Sequence, residues 1–143
     1  MLNIAKTIKI LTLMAEEYQD ADHPTRVAIK AAMNNYIRKF DNFEIHFISE
    51  AAKEVADDLG LDMSNQYYNG QSADMKKYFI LEHKYPVSDM LTAMFEDPSK
   101  VEEIINARCH GWILRTEDKL LPRYNRGCHD TAYNNANIKV INF

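Results

Sequence analysis

Four of the six arginines in this chain fall between Arg108 and Arg126. Guanidinium groups present a rigid fork of donors that suits phosphate and carboxylate oxygens. With Lys119 they make five cations against Glu117 and Asp118, a local charge of +3 in a chain whose net charge is −4. Arg115, Arg123 and Arg126 are therefore the residues expected to hold an anion. Trp112 and Tyr124 are the rings expected to stack on a base or sugar. Glu117 and Asp118 offer a structural alternative, pairing with the same arginines to fasten the segment to the domain.

Two dipeptides add a second chemistry. Cys109-His110 and Cys128-His129 together match the ligand count of a tetrahedral zinc site, although adjacent side chains diverge and ligand pairs usually lie two to four residues apart. A third candidate is Glu82-His83, followed by Lys84-Tyr85-Pro86. These five residues resemble the opening of the HNH nuclease motif. The resemblance implies a metal-dependent nuclease or phosphoesterase, with His83 as general base on a water and Glu82, Glu117 or Asp118 as supporting carboxylates. Magnesium would serve such carboxylates and zinc the cysteine–histidine pairs, but no cofactor signature is strong. A P-loop, a GxGxxG turn, a nucleophile elbow and an HExxH helix are all absent.

These residues must be positioned by a mostly helical chain. Ile4, Ile8, Leu11, Ala15 and Tyr18 recur at helical spacing, predicting a helix over about Leu2–Gln19. Pro24 opens a second helix, striped by Ile29, Met33, Tyr36, Ile37 and Phe40, so residues 2–40 read as a helical hairpin. Residues 43–48 alternate as a strand. Ser49 caps a helix closed by Gly60. The stretch from Met63 to Ser72 reads as a loop in which Tyr67 and Tyr68 serve either as rigid recognition groups or, through one buried tyrosine, as its anchor. Met75, Tyr78, Phe79 and Glu82 predict a helix ending before Pro86. Helices follow over Val87–Phe95 and after Asp97-Pro98. A buried strand runs through Trp112–Leu114, then a Thr116-capped turn to Leu121, a loop, a short helix over Asp130–Ala136 and a closing strand from Ile138.

The expected fold is helix-rich α+β, one domain of 143 residues with a sheet of about three short strands. Within it, residues 2–40 form the hairpin and residues 43–143 the α/β body. Apolar content of 46% and charged content of 27% suit a globular protein. Net acidity argues against binding nucleic acid over the whole surface. Two cysteines, an N-terminal stretch unlike a secretory signal and no run long enough to span a bilayer point to a cytoplasmic protein with no membrane partner. The leading expectation is a small binding or regulatory protein, of the sort found as mobile-element accessories or inhibitors. Its Trp112–Arg126 segment would contact an anionic ligand, nucleic acid or protein. The alternatives are the metal-dependent enzyme centred on His83 and a homodimeric interaction protein without a ligand.

Overall fold

The computed structural model describes residues 3–65, 72–123 and 129–143, without the side chains of Asn65, Asp74 and His129. Its fold is helix-rich α+β, with a four-stranded rather than three-stranded sheet. The chain divides into two compact units. The first is Met1–Phe40 with Val87–Arg108, and the second is Asp41–Pro86 with Cys109–Phe143.

The first unit is helical. Helix α1 spans Ile4–Asp20 and α2 spans His23–Asp41, the latter running one residue into the second unit. Helix α5 is Val87–Glu96 and α6 is Val101–Asn106. The apolar stripes read from the sequence have buried centres, Leu11 and Ala15, Met33 and Ile37, Val87, Leu91 and Met94, and Val101, Ile104 and Ile105, and Met90 is buried beside them. Side chains close the helix ends where backbone groups lack partners. Asn3 accepts from Lys6 N–H at 2.9 Å and Asp22 from Thr25 N–H at 2.9 Å. Arg26 donates to the carbonyls of Tyr18 and Gln19 at the end of α1. Tyr18 stacks on Phe95 with ring centroids 3.7 Å apart.

In the second unit, β1 is Phe47–Ser49, α3 Glu50–Asp58, α4 Ala73–Tyr78 and β2 Phe79–His83. Then come β3 His110–Leu114, α7 Arg115–Asp118, α8 His129–Asn135 and β4 Val140–Asn142. The strand order is β2-β3-β1-β4. Strands β1 and β3 are parallel, and the other two pairings are antiparallel.

Strand β2 corrects the reading of Met75–Glu82 as one helix. The helix stops at Tyr78, and Phe79-Ile80-Leu81 pairs along β3, Phe79 opposite Leu114 and His83 opposite His110. Aromatic and β-branched residues fit a paired, half-buried surface, and long-range pairing overrides the local helical spacing. Residues 43–46 precede the short strand β1 instead of extending it, yet His46 N–H already donates to His110 C=O at 2.9 Å.

Alternation along the strands builds two apolar layers. Ile48, Phe79 and Trp112 pack with Ala52 and Ala56 of α3, Met63 and Met75. On the opposite face Phe47 and Ile113 pack with Leu121, Ala132, Tyr133 and Ile138. Gly111 lies opposite Phe47, and a Cβ there would overlap the Phe47 carbonyl and come within 2.6 Å of its ring. Ser49 is buried at the start of α3, where its Oγ accepts from Ala52 N–H at 3.0 Å, as the capping reading expects.

Candidate metal centre

The register of the sheet puts a histidine at the same end of three adjacent strands. His83 closes β2, His110 opens β3 opposite it, and His46 immediately precedes β1. All three share the face that carries Leu81 and Trp112. Asp41, the last residue of α2, completes the group. Asp41 and His110 have no exposed surface, and His83 is 8% exposed.

One donor atom each from Asp41, His83 and His110 lies within 4.8 Å of the others, the one such cluster of three or more among the described residues. His83 Nε2 is 2.9 Å from Asp41 Oδ2, and His110 Nδ1 is 3.9 Å from the same oxygen. A tetrahedral zinc ion with bonds near 2.0–2.1 Å needs donor atoms about 3.3 Å apart, between those two distances.

The tautomer of His110 is fixed by its surroundings. Its Nε2 is 3.1 Å from Asp41 C=O and also contacts Glu44 C=O. Carbonyl oxygens only accept, so Nε2 bears the proton and Nδ1 keeps its lone pair. Nδ1 is buried with no hydrogen-bond partner among the described residues. Burial pushes the imidazole pKa down from 6.5 to about 4. Asp41 opposes that shift, while His83 and His46 reinforce it. A neutral ring with Nε2–H on backbone carbonyls and Nδ1 aimed at a carboxylate is the arrangement a metal-ligating histidine requires.

His46 and Glu44 form the partly exposed rim. His46 Nδ1 accepts from His110 N–H at 3.3 Å, its Nε2 lies 3.5 Å from Glu44 Oε1, and its ring centroid is 4.3 Å from that of His110.

The residues singled out in the sequence divide among several places. His83 belongs to the cluster, but adjacent Glu82 faces the other side of β2, where it accepts from Tyr133 Oη. Strand alternation thus separates Glu82 from His83, which the HNH resemblance would bring to one site. Likewise His110 joins the cluster while Cys109 packs with the opposite apolar layer, its thiol pKa raised by burial. Cys128 lies outside the described residues, as does the side chain of His129.

Glu117 Oε2 accepts from Ser49 Oγ at 2.6 Å and from Leu114 N–H at 2.9 Å, and so holds the start of α7. That capping contact replaces the expected Thr116 cap. Asp118 ends α7 and is half-buried. Neither carboxylate is among the cluster residues.

The arginine segment does not present one face. Trp112 is fully buried in the apolar layer, so its ring packs in the core and is not offered for stacking. Arg108 is buried in the first unit, donating to Ile105 C=O at 3.0 Å and lying over the Phe40 ring. Arg115 Nε donates to Lys76 C=O at 2.6 Å. Arg123 is exposed, while Tyr124, Arg126, Tyr67 and Tyr68 lie outside the described residues.

Asp41 and His46 are the two members that sequence reasoning passed over. Their signal is positional: a histidine at one end of three of the four strand runs, at the same parity, and an aspartate at a helix end. No described helix is long and apolar enough to cross a membrane. No known protein family, curated protein or solved structure matches this chain.

Proposed function

We propose that this protein binds one divalent transition-metal ion of the zinc class through Asp41, His83 and His110, and that it is a metal-dependent hydrolase. The observation that carries the reading is the buried Nδ1 of His110, a lone-pair donor with no partner among the described residues, 3.9 Å from the Asp41 carboxylate. Two imidazoles and one carboxylate suit zinc and its neighbours better than magnesium, which prefers oxygen ligands and retains water. Three protein ligands leave a fourth position open, the pattern of catalytic zinc sites rather than closed structural ones.

An ion so held supplies Lewis acidity and a water ionisable near neutral pH. The chain's own residues do the remainder. His110 is locked in one tautomer by the Asp41 and Glu44 carbonyls. Asp41 carries the negative charge that attracts the cation. Residues 41–46 bring the partly exposed Glu44 and His46 beside the buried ligands.

The test is metal uptake by native mass spectrometry, followed by hydrolysis of bis(p-nitrophenyl) phosphate and p-nitrophenyl acetate with zinc, manganese or magnesium. We expect one equivalent of zinc and turnover that disappears in His83→Ala. Turnover unchanged in that variant removes His83 from the mechanism, and no zinc uptake by the parent overturns the reading.

A further inference from the structure

The sheet ends on one side at β4, and two hydrogen bonds flanking that strand fix which way its backbone points. Glu50 N–H donates to Lys139 C=O at 2.8 Å, and Phe143 N–H donates to His46 C=O at 3.0 Å. Ile141 pairs with Ile48 between them, so positions 139, 141 and 143 turn their backbone groups towards β1. Val140 and Asn142 therefore turn theirs outwards, and β4 has no strand on that side among the described residues. Ile141 and Phe143 are 40% and 53% exposed, and Asn142 between them is exposed too. The opposite edge differs, since Phe79, Glu82 and His83 of β2 are buried. Free edges are usually blunted by charge or proline, and residues 140–143 carry neither.

Such an edge is complementary to itself. A second copy laid antiparallel about a two-fold axis at Ile141 sets Val140 of each copy opposite Asn142 of the other. Both are outward-facing positions, so each pair exchanges both of its N–H···O=C bonds, as an antiparallel ladder requires. Ile141 then meets its own copy at the closer spacing between those bonded pairs. Charge fits as well. The same register sets Lys139 of one copy opposite Phe143 of the other, on the face that Ile141 shares with Ile48. There Ile141 and Phe143 line a groove of about 490 Å³ whose polar wall holds Lys53, Asp57 and Asp62. Lys53 is already bound to Asp57 at 2.8 Å, so the wall has two carboxylates against one ammonium. Lys139 is exposed, makes no ion pair among the described residues, and brings the second cation.

We infer that β4 is the edge at which two copies of this chain join, each sheet continuing into the other. Backbone bonds between the two β4 strands hold the pair, and Ile141 and Phe143 withdraw from water. Lys139 of each copy meets the carboxylate wall of the other. This goes beyond metal binding and hydrolysis, and neither reading depends on the other.

Sedimentation equilibrium of the full chain in chelator, over roughly a hundredfold range of concentration, should show a reversible monomer–dimer equilibrium. Asn142→Pro removes an outward N–H and no bond to β1. It should keep the far-ultraviolet circular dichroism of the parent and weaken dimerisation at least roughly tenfold. Ile141→Cys should cross-link into a disulfide-bonded dimer under mild oxidation, because the two copies of that position lie within disulfide reach, whereas Lys139→Cys should not. The parent treated alike gives the background from its own cysteines. A parent that stays monomeric throughout, a dimer indifferent to Asn142→Pro, or equal cross-linking by the two cysteine variants each overturns the proposal. Growth past the dimer also overturns it, because that means pairing between unlike edges. The cross-linking contrast decides alone if Asn142→Pro does not fold.

Discussion

His83 Nε2 lies 2.9 Å from Asp41 Oδ2, a buried contact between residues 42 positions apart in sequence. A carboxylate only accepts, so in this contact the proton on Nε2 occupies the place that a metal ion would take. The second nitrogen facing the same oxygen, His110 Nδ1, carries no proton to share. The pair therefore reads as two of three protein ligands rather than as a complete hydrogen-bonded dyad.

Asp41→Asn separates these descriptions. The amide oxygen can still accept from His83, so the free energy of unfolding measured by urea in chelator is expected to stay within about 1 kcal/mol of the parent. The charge that binds the cation is gone, and zinc affinity measured by calorimetry is expected to fall roughly a hundredfold. A large loss of stability with undiminished affinity would make Asp41 a structural residue and not a ligand.

The depressed pKa of His110 gives the metal-free protein a defined pH dependence. In the folded state the ring stays neutral down to about pH 4, whereas in the unfolded chain it protonates near 6.5. Between those values the unfolded state binds the extra proton, so stability rises with pH through this window. The contribution is fully present above about pH 6.5 and is lost as pH falls towards 4, amounting to about 3 kcal/mol. Denaturant unfolding in chelator at pH 7 and pH 4.5, compared with His110→Gln, should show a smaller drop in the variant. An equal drop in both would assign the acid sensitivity to other groups.

Much of the helical scaffold is legible in the sequence because it obeys local rules. The stripe through Leu11 and Ala15, the cap at Ser49 and the Asp97-Pro98 start each follow from residues within one or two turns. The site is not local. His46, His83 and His110 become neighbours only through the register of β2 and β1 on β3, and β2 itself was hidden by a helical spacing that its pairing partner overrules. Adjacent residues misled for the same reason. Cys109-His110 and Glu82-His83 look like paired ligands in sequence, and a strand sends the two members of each pair to opposite faces. Trp112 looked like a stacking ring beside cations, but its parity places it in the core.

Gly111 is expected to be intolerant of any side chain. A methyl group there would overlap the Phe47 carbonyl and come within 2.6 Å of its ring, and neither can retreat, because Phe47 is fully buried and paired in β1. Overpacking of this kind costs about 1–3 kcal/mol, more where backbone must shift. Gly111→Ala should lower the free energy of unfolding measured in urea by at least about 3 kcal/mol, and zinc affinity should fall with it because Gly111 adjoins His110. A variant as stable as the parent would mean that β1 and β3 are not held in this register.

Ser49 joins two elements through one oxygen. Its Oγ accepts from Ala52 N–H at the start of α3 and donates to Glu117 Oε2, which also receives Leu114 N–H at the start of α7. Removing the hydroxyl takes away a helix cap and leaves a partly buried carboxylate short of one donor, at a cost of about 1–2 kcal/mol for the cap and a similar amount for the carboxylate. Ser49→Ala is therefore expected to be more destabilising than an ordinary cap deletion. Glu117→Gln should recover part of that loss in the Ser49→Ala background, since the neutral side chain needs less solvation. A double-mutant cycle by urea unfolding reads the coupling directly. Strict additivity would mean that Glu117 is not held by Ser49, and would return that carboxylate to the set available for ligand chemistry.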